Sequence, residues 1–166
     1  MIKIRKAGTY EINTIKNLAD AIWPATYKKL LSPDQIDYMM NLFYSPSSLA
    51  EQFTKHTFLI AYVDNEPAGF ASYSPSANTG TYKLHKIYVN TTLQRRGLGK
   101  ALINFIVEEL KSSGGSALEL NVKRDNPARL FYEKLGFEVM REEDINIGNN
   151  YWLQDYVMRI SIHGIL

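Results

Sequence analysis

The chain has 166 residues, with 19 Lys and Arg, 17 Asp and Glu, 3 His and no Cys. This length suits one domain with its own core, so we expect a single domain over residues 1–166. The net charge of +2 is too small to predict a nucleic-acid partner, and the absence of Cys excludes a thiol nucleophile, a disulfide framework and thiolate metal ligands.

Hydrophobic spacing predicts early helices, then strands, then strands alternating with helices. Apolar residues at helical spacing predict helices over residues 10–23, 34–44, 48–55, 98–111 and 127–135. Pro24 is expected to stop or kink the first helix. Alternating or continuous apolar runs predict strands over residues 2–5, 57–63, 68–73, 81–89, 117–122, 137–141 and 151–162, and a turn over 144–150. This order predicts an α/β (α+β) fold with a mixed sheet.

The sequence also bears on location and on metals. The longest uninterrupted apolar run covers residues 58–63, which is too short to cross a bilayer. The first residues lack the apolar segment of a secretory signal, so we expect a cytoplasmic protein without a membrane partner. The three His residues do not have the spacing of metal ligands, so no metal is expected.

The segment after the 81–89 strand has an unusual order of charges for the start of a helix. A helix N-terminus has a partial positive charge, which carboxylates normally stabilise. Here Arg95, Arg96 and Lys100 lie at that end, while Glu108 and Glu109 lie near the other. Each misplaced charge costs about 0.3–1 kcal/mol unless something compensates it. The arrangement becomes favourable if the turn binds an anion.

Glycines in the same turn support an anion site. Gly97 and Gly99 would let backbone N–H groups approach the anion closely. The alternative is a glycine-containing turn with solvated basic side chains. The spacing matches neither a Walker A loop nor a dinucleotide fingerprint, so we expect a phosphate of another cofactor.

Three motifs in order resemble a known family. The run Gln94-Arg95-Arg96-Gly97-Leu98-Gly99 resembles the Q/R-x-x-G-x-G/A loop of the GNAT superfamily of N-acetyltransferases. Residues 84–89, 120–122 and 126–137 resemble its fourth strand, its fifth strand and the helix that follows. The resemblance implies a mostly antiparallel central sheet with splayed fourth and fifth strands, flanked by helices. It also implies transfer of an acetyl group from acetyl-CoA to a primary amine.

The resemblance further implies how acetyl-CoA would be held. Loop amides and basic side chains would bind the pyrophosphate, and the fourth strand would pair with the pantetheine arm as with an added strand. Asn126 would contact the same arm, although the motif spacing leaves Asp125 as an alternative. Because Pro127 suits the first position of a helix, Asn126 could also act as the N-cap of that helix. The implied cofactor-binding residues are Ile87, Tyr88, Val89, Gln94, Arg95, Arg96, Gly97, Leu98, Gly99, Lys100, Asn126 and Tyr132.

The expected general acid is Tyr132, because the reference pKa of a phenol, about 10, is near that of the departing thiol, about 8.5. Its alternative role is that of a core aromatic residue.

Histone-modifying relatives use a Glu as general base, but the comparable position here is Lys83, which cannot act as a base while it is a cation. His85 on the same strand is a candidate base, and an ordered chain of waters is its rival. The absence of Cys favours direct attack in a ternary complex.

The acceptor side is expected outside these motifs. Aromatic and acidic residues could bind a cationic small-molecule amine, although packing of the early helices would also explain the aromatic ones. The candidates are Trp23, Tyr27, Trp152 and Asp155. Residues 155–158 resemble the ending of small-molecule members, including polyamine acetyltransferases. Acetylation of a protein N-terminus or lysine, and acyl-CoA binding without catalysis, remain alternatives, as do a monomer and a homodimer.

Overall fold

The structure is a computed structural model that describes residues 1–91 and 97–162. After a 3-10 turn at Thr9–Glu11, the described helices are α1 Ile12–Tyr27, α2 Pro33–Tyr44, α3 Pro46–Lys55, α4 Leu98–Ser112 and α5 Ala128–Leu135. The strands are β1 Ile2–Lys6, β2 Thr57–Val63, β3 Glu66–Pro75, β4 Thr81–Val89, β5 Ala117–Lys123, β6 Glu138–Gly148 and β7 Tyr151–Ser161.

The strands form one seven-stranded sheet in the order β1-β2-β3-β4-β5-β7-β6. β2 pairs antiparallel with β1 and β3, and β7 pairs antiparallel with β5 and β6, whereas β4 and β5 are parallel. The β4–β5 ladder joins Thr81–Leu84 to Ala117–Leu120, although β4 continues to Val89 and β5 to Lys123. This mixed, mostly antiparallel sheet flanked by helices confirms the predicted fold class.

The chain forms two compact units. Unit 1 comprises Met1–Ser74 and Lys86–Phe105, and unit 2 comprises Pro75–His85 and Ile106–Leu166. The expectation of one domain over residues 1–166 stays a prediction. None of the helices in the described ranges is long and apolar enough to span a membrane.

The core of unit 1 lies around β2 and α1. Phe58, Leu59, Ile60 and Ala61 are consecutive and fully buried, as expected for a strand covered on both faces. The apolar residues of α1 follow at helical spacing, and they are Ile15, Leu18, Ala19, Ile22 and Trp23. Pro24 does not end α1, which continues to Tyr27.

Two helices of unit 1 begin earlier than predicted. Pro33 and Pro46 are the first residues of α2 and α3, where a missing N–H costs nothing. Ser32 and Ser45 cap them, because each hydroxyl accepts a hydrogen bond from a backbone N–H of the first turn.

Unit 2 contains a long β6–β7 hairpin, and the predicted turn over residues 144–150 is wrong for most of its length. Residues 144–148 continue β6, and only Asn149 and Asn150 form the turn. Both asparagines have a positive φ, of 55° and 62°, as a two-residue hairpin turn requires. Pairing with β7, such as that of Asp144 with Gln154, outweighs the weak strand propensity of Asp and Asn.

Candidate active site

In unit 1, the end of β4 leads to the start of α4. Ile87, Tyr88 and Val89 are half-buried at the end of the strand. Gln94, Arg95 and Arg96, which the sequence predicts to bind a pyrophosphate, lie outside the described residues. The predicted loop can therefore be followed in the structure only from Gly97 onwards.

The first turn of α4 has the properties expected of an anion site. Gly97 has a φ of +84°, and apart from Gly97 itself and its neighbours along the chain no described atom lies within 4 Å of the point where a Cβ would be. Its carbonyl accepts the first helical hydrogen bond from Ala101, at 2.8 Å, and Leu98 anchors the helix in the core. The first turn contains no acidic residue, and the Lys100 side chain is exposed. Within the described part of the chain, the N–H groups of this turn therefore have a positive environment.

Aromatic side chains in unit 1 connect α1 to β4. Trp23 is only 4% exposed, and its indole N–H donates to the Tyr44 hydroxyl at 3.0 Å. The Trp23 ring packs on Tyr27 at 4.3 Å and on Tyr88 at 5.8 Å between centroids. The hydroxyls of Tyr27 and Tyr88 are hydrogen-bonded at 2.9 Å. Trp23 thus lies in the core, and Tyr27 contacts a residue of the predicted cofactor strand.

A buried cation that was not predicted from the sequence lies beside these rings. Lys86 is 9% exposed, and its Nζ lies 4.6 Å from the centroid of the Tyr44 ring and 5.5 Å from that of Phe43. Burial lowers the pKa of Lys86 to about 8. Its place between Leu84 and Tyr88, on a face of β4 that is otherwise apolar, was the available signal. The aromatic rings of unit 1 therefore already hold a cation of the chain itself.

In unit 2, a polar network includes the predicted substrate residue Asp155. The Lys83 Nζ donates to Asn121 Oδ1, and Asn121 Nδ2 donates to Glu143 Oε1 at 3.1 Å and to Asp155 Oδ2 at 3.2 Å. Burial lowers the pKa of Lys83 and raises that of Asp155. The hydrogen bond from Asn121 is the main cause of the lowered pKa of Glu143. Asn121 lies in the 120–122 run that resembles the fifth strand, but neither Asn121 nor Glu143 was predicted from the sequence as a site residue.

Tyr132 and Asn126 have defined surroundings in unit 2. The Tyr132 ring is buried and packs edge-on against Phe131 at 5.2 Å and Phe137 at 5.7 Å between centroids. Asn126 Oδ1 accepts a hydrogen bond from the Ala128 N–H at 2.9 Å, so its side chain caps the start of α5. Asp125, its alternative in cofactor binding, accepts an ion-paired hydrogen bond from Lys123 at 2.7 Å.

Two further predicted residues lie at the surface of unit 2. The side chain of His85 is exposed on β4, and Trp152 is 54% exposed on β7. In the described ranges, no three His, Asp or Glu side chains are grouped as a metal site would require.

Comparison with known proteins identifies the class. That comparison places the chain among the acyltransferases. The family profile described as "Acetyltransferase (GNAT) family" matches residues 12–137, which is more than half of the chain. The chain therefore belongs to the acetyltransferase (GNAT) family, as its motifs had indicated.

Individual relatives cover nearly the whole chain. A spermidine N(1)-acetyltransferase of Thermoplasma acidophilum is 27% identical over 145 residues, which are 83% of this chain and 89% of the relative. A ribosomal protein bS18-alanine N-acetyltransferase of Salmonella typhimurium is 28% identical over 142 residues, covering 85% and 88%. The crystal structure of the PaiA N-acetyltransferase from T. acidophilum in complex with coenzyme A superposes with a TM-score of 0.81 at 25% identity, covering 97% and 99%.

Proposed function

We propose that the chain transfers the acetyl group of acetyl-CoA to a primary amine by direct attack in a ternary complex. The observation that carries this proposal is the acid-free first turn of α4 with its left-handed Gly97, placed after the half-buried end of β4. The coenzyme A complex of the PaiA relative supports the same cofactor here.

The described residues fit coenzyme A. A pyrophosphate needs N–H donors and positive charge, which the first turn of α4 and the exposed Lys100 provide. The pantetheine arm needs a strand backbone to pair with, and β4 continues to Val89 beyond its described ladder with β5, which ends at Leu84. Side chains outside the described residues, Gln94, Arg95 and Arg96, complete the proposed pyrophosphate site.

Tyr132 is the proposed general acid. Bound acetyl-CoA supplies a thioester whose carbonyl carbon the amine attacks and whose sulfur leaves as a thiolate. Tyr132 donates its phenolic proton to that sulfur, and the edge-on contacts with Phe131 and Phe137 orient its ring. His85, exposed on β4, is the proposed base for the ammonium proton, with ordered water as the alternative.

A small cationic amine is the proposed acceptor. Its support is the spermidine N(1)-acetyltransferase relative and the buried carboxylate of Asp155, with Tyr27 and Trp152 as further candidate contacts. Trp23 is a weaker candidate, because its side chain is buried in the core of unit 1. The bS18-alanine N-acetyltransferase relative favours a protein N-terminus as the second candidate acceptor.

The test has a binding arm and a turnover arm. Calorimetry should show that coenzyme A binds the purified chain, and thiol release from acetyl-CoA should occur with one amine of a panel of polyamines, amino acids, aminoglycosides and peptides. Binding without thiol release would favour an acyl-CoA-binding module, and no binding would contradict the proposal.

A tyrosine variant tests the proposed acid. Tyr132→Phe should lower kcat about 100-fold while leaving the affinity for acetyl-CoA nearly unchanged, because only the proton donor is lost. Tyr156→Phe is the matched control, since its ring still lies beside Arg129 and should keep normal turnover. An unchanged kcat in Tyr132→Phe would remove the acid role.

A further inference from the structure

β3 is irregular close to the end of β4. Its pairing with β2 shifts between Ala61, which faces Gly69, and Tyr62, which faces Pro67, so Ala68 is an extra residue on β3. Such a bulge bends the strand locally and increases its twist. The Asn90 N–H donates to the Ala68 carbonyl at 2.7 Å, which ties the bulge to the residue that follows β4.

Next to this bulge, Gly69 lies against the backbone of β4. A Cβ on Gly69 would be 2.8 Å from the carbonyl oxygen of Tyr88, 3.1 Å from Val89 Cγ1 and 3.3 Å from Val89 Cα. Gly69 does not have a positive φ, so the requirement for glycine comes from close approach and not from backbone conformation. Since the nearest atom belongs to the backbone, a side chain here would force one of the two strands to move.

We propose that Gly69 is a positioning residue for the cofactor: by letting β3 approach β4, it sets where the backbone of Tyr88 and Val89 lies. This inference rests on the proposed function, in which Ile87–Val89 hydrogen-bonds the pantetheine arm. Backbone hydrogen bonds keep their strength over only a few tenths of an ångström, between about 2.7 and 3.2 Å. A displacement of Tyr88 by a methyl group at position 69 would therefore weaken cofactor binding from the opposite side of the strand.

The experiment compares Gly69→Ala with a matched glycine in the full chain. Gly115→Ala is the control, because its Cβ would lie 3.0 Å from the Leu110 carbonyl oxygen, in the turn after α4. Coenzyme A is titrated into both variants and the wild type by calorimetry, at a temperature where circular dichroism shows all three folded. We expect binding about tenfold weaker in Gly69→Ala, or about 1.4 kcal/mol, and within about twofold of wild type in Gly115→Ala. Both variants should have a lower Tm.

A second pair of variants applies if Gly69→Ala alone does not fold. Val89→Ala removes the Cγ1 contact, so the double variant Gly69→Ala/Val89→Ala keeps only the clash with the Tyr88 carbonyl and the Val89 backbone. Its affinity for coenzyme A should be several-fold below that of Val89→Ala alone.

The outcomes separate this inference from the proposed function. If the wild type binds coenzyme A but Gly69→Ala binds as tightly as Gly115→Ala, Gly69 has no positioning role. Equal affinities of the double variant and Val89→Ala would overturn the inference in the same way. If the wild type does not bind coenzyme A, the proposed function fails and this inference fails with it.

Discussion

Two carboxylates, one in each unit, have the same small solvent exposure and opposite pKa shifts. Glu11 in unit 1 is 6% exposed, and Asp155 in unit 2 is 7% exposed. The pKa of Glu11 is lowered to about 2, whereas burial raises the pKa of Asp155 above its ordinary value of 3.8. Equal solvent exposure therefore does not decide the sign of the shift, and Asp155 lies deeper in the protein than Glu11.

The hydrogen-bond partners and the depth of burial decide it together. The Arg5 guanidinium donates to both oxygens of Glu11, at 2.8 and 2.6 Å, and the Tyr62 hydroxyl and the Gly8 N–H donate at 3.0 and 3.2 Å. Asp155 accepts one side-chain hydrogen bond, from Asn121 at 3.2 Å. Donors that favour the ionised form outweigh burial at Glu11 but not at Asp155. The comparison suggests a stabilising charge in unit 1 and a carboxylate available for function in unit 2.

The largest effect on stability is expected at Glu11. Glu11→Gln should lower the free energy of unfolding by about 2 kcal/mol, because the hydrogen bonds to Arg5 lose their charge-assisted character. Urea unfolding measures the change. Glu51→Gln is the control, since Glu51 is an exposed partner of Lys55 and should cost less than about 0.5 kcal/mol. Equal costs in both variants would contradict the stabilising role.

The stability that the Arg5–Glu11 ion pair contributes should depend on pH in a predictable way. The pKa of Glu11 is lower in the folded state than its ordinary value of 4.5. Its contribution to the free energy of unfolding is therefore complete above about pH 4.5 and is lost as the pH falls towards 2. The difference in unfolding free energy between the wild type and Glu11→Gln should shrink over that window. A difference that is unchanged at pH 2 would show that charge is not its source.

Replacing the Asp155 carboxylate should have the opposite effect on stability. Its raised pKa means that the ionised carboxylate costs stability at neutral pH, so Asp155→Asn should keep or raise the Tm. Turnover of the amine substrate should fall about tenfold, which corresponds to about 1.4 kcal/mol. Glu142→Gln, at an exposed ion pair with Arg124, should leave both quantities unchanged. A lower Tm with normal turnover would make Asp155 a structural residue.

The smallest change in stability is expected at Trp152. Because its side chain is 54% exposed, Trp152→Ala should alter the free energy of unfolding by less than about 0.5 kcal/mol. If Trp152 contacts the amine, KM for the amine should rise about threefold. An unchanged KM would limit the acceptor site to other residues.

Much of the fold was predictable because local periodicity reports burial. The run over residues 57–63 matches β2, and the apolar positions of α1 and α4 match buried helix faces. The prediction was wrong over residues 144–148, where pairing with β7 outweighs turn-forming residue types. At the candidate site, the start of α4 was predictable from its charges and glycines, whereas the roles of Tyr132, His85 and Asp155 stay predictions.

The amino-acid sequence by itself determined the family and the order of the elements, because motifs and hydrophobic spacing are properties of neighbouring residues. It also located the helix start that lacks acidic residues. Only the tertiary structure decided the opposite pKa shifts of Glu11 and Asp155 and the close approach of Gly69 to Tyr88. The physical reason is that hydrogen bonds and steric contacts depend on distances between groups from different strands, such as Asn121 and Asp155, which their spacing along the chain does not specify.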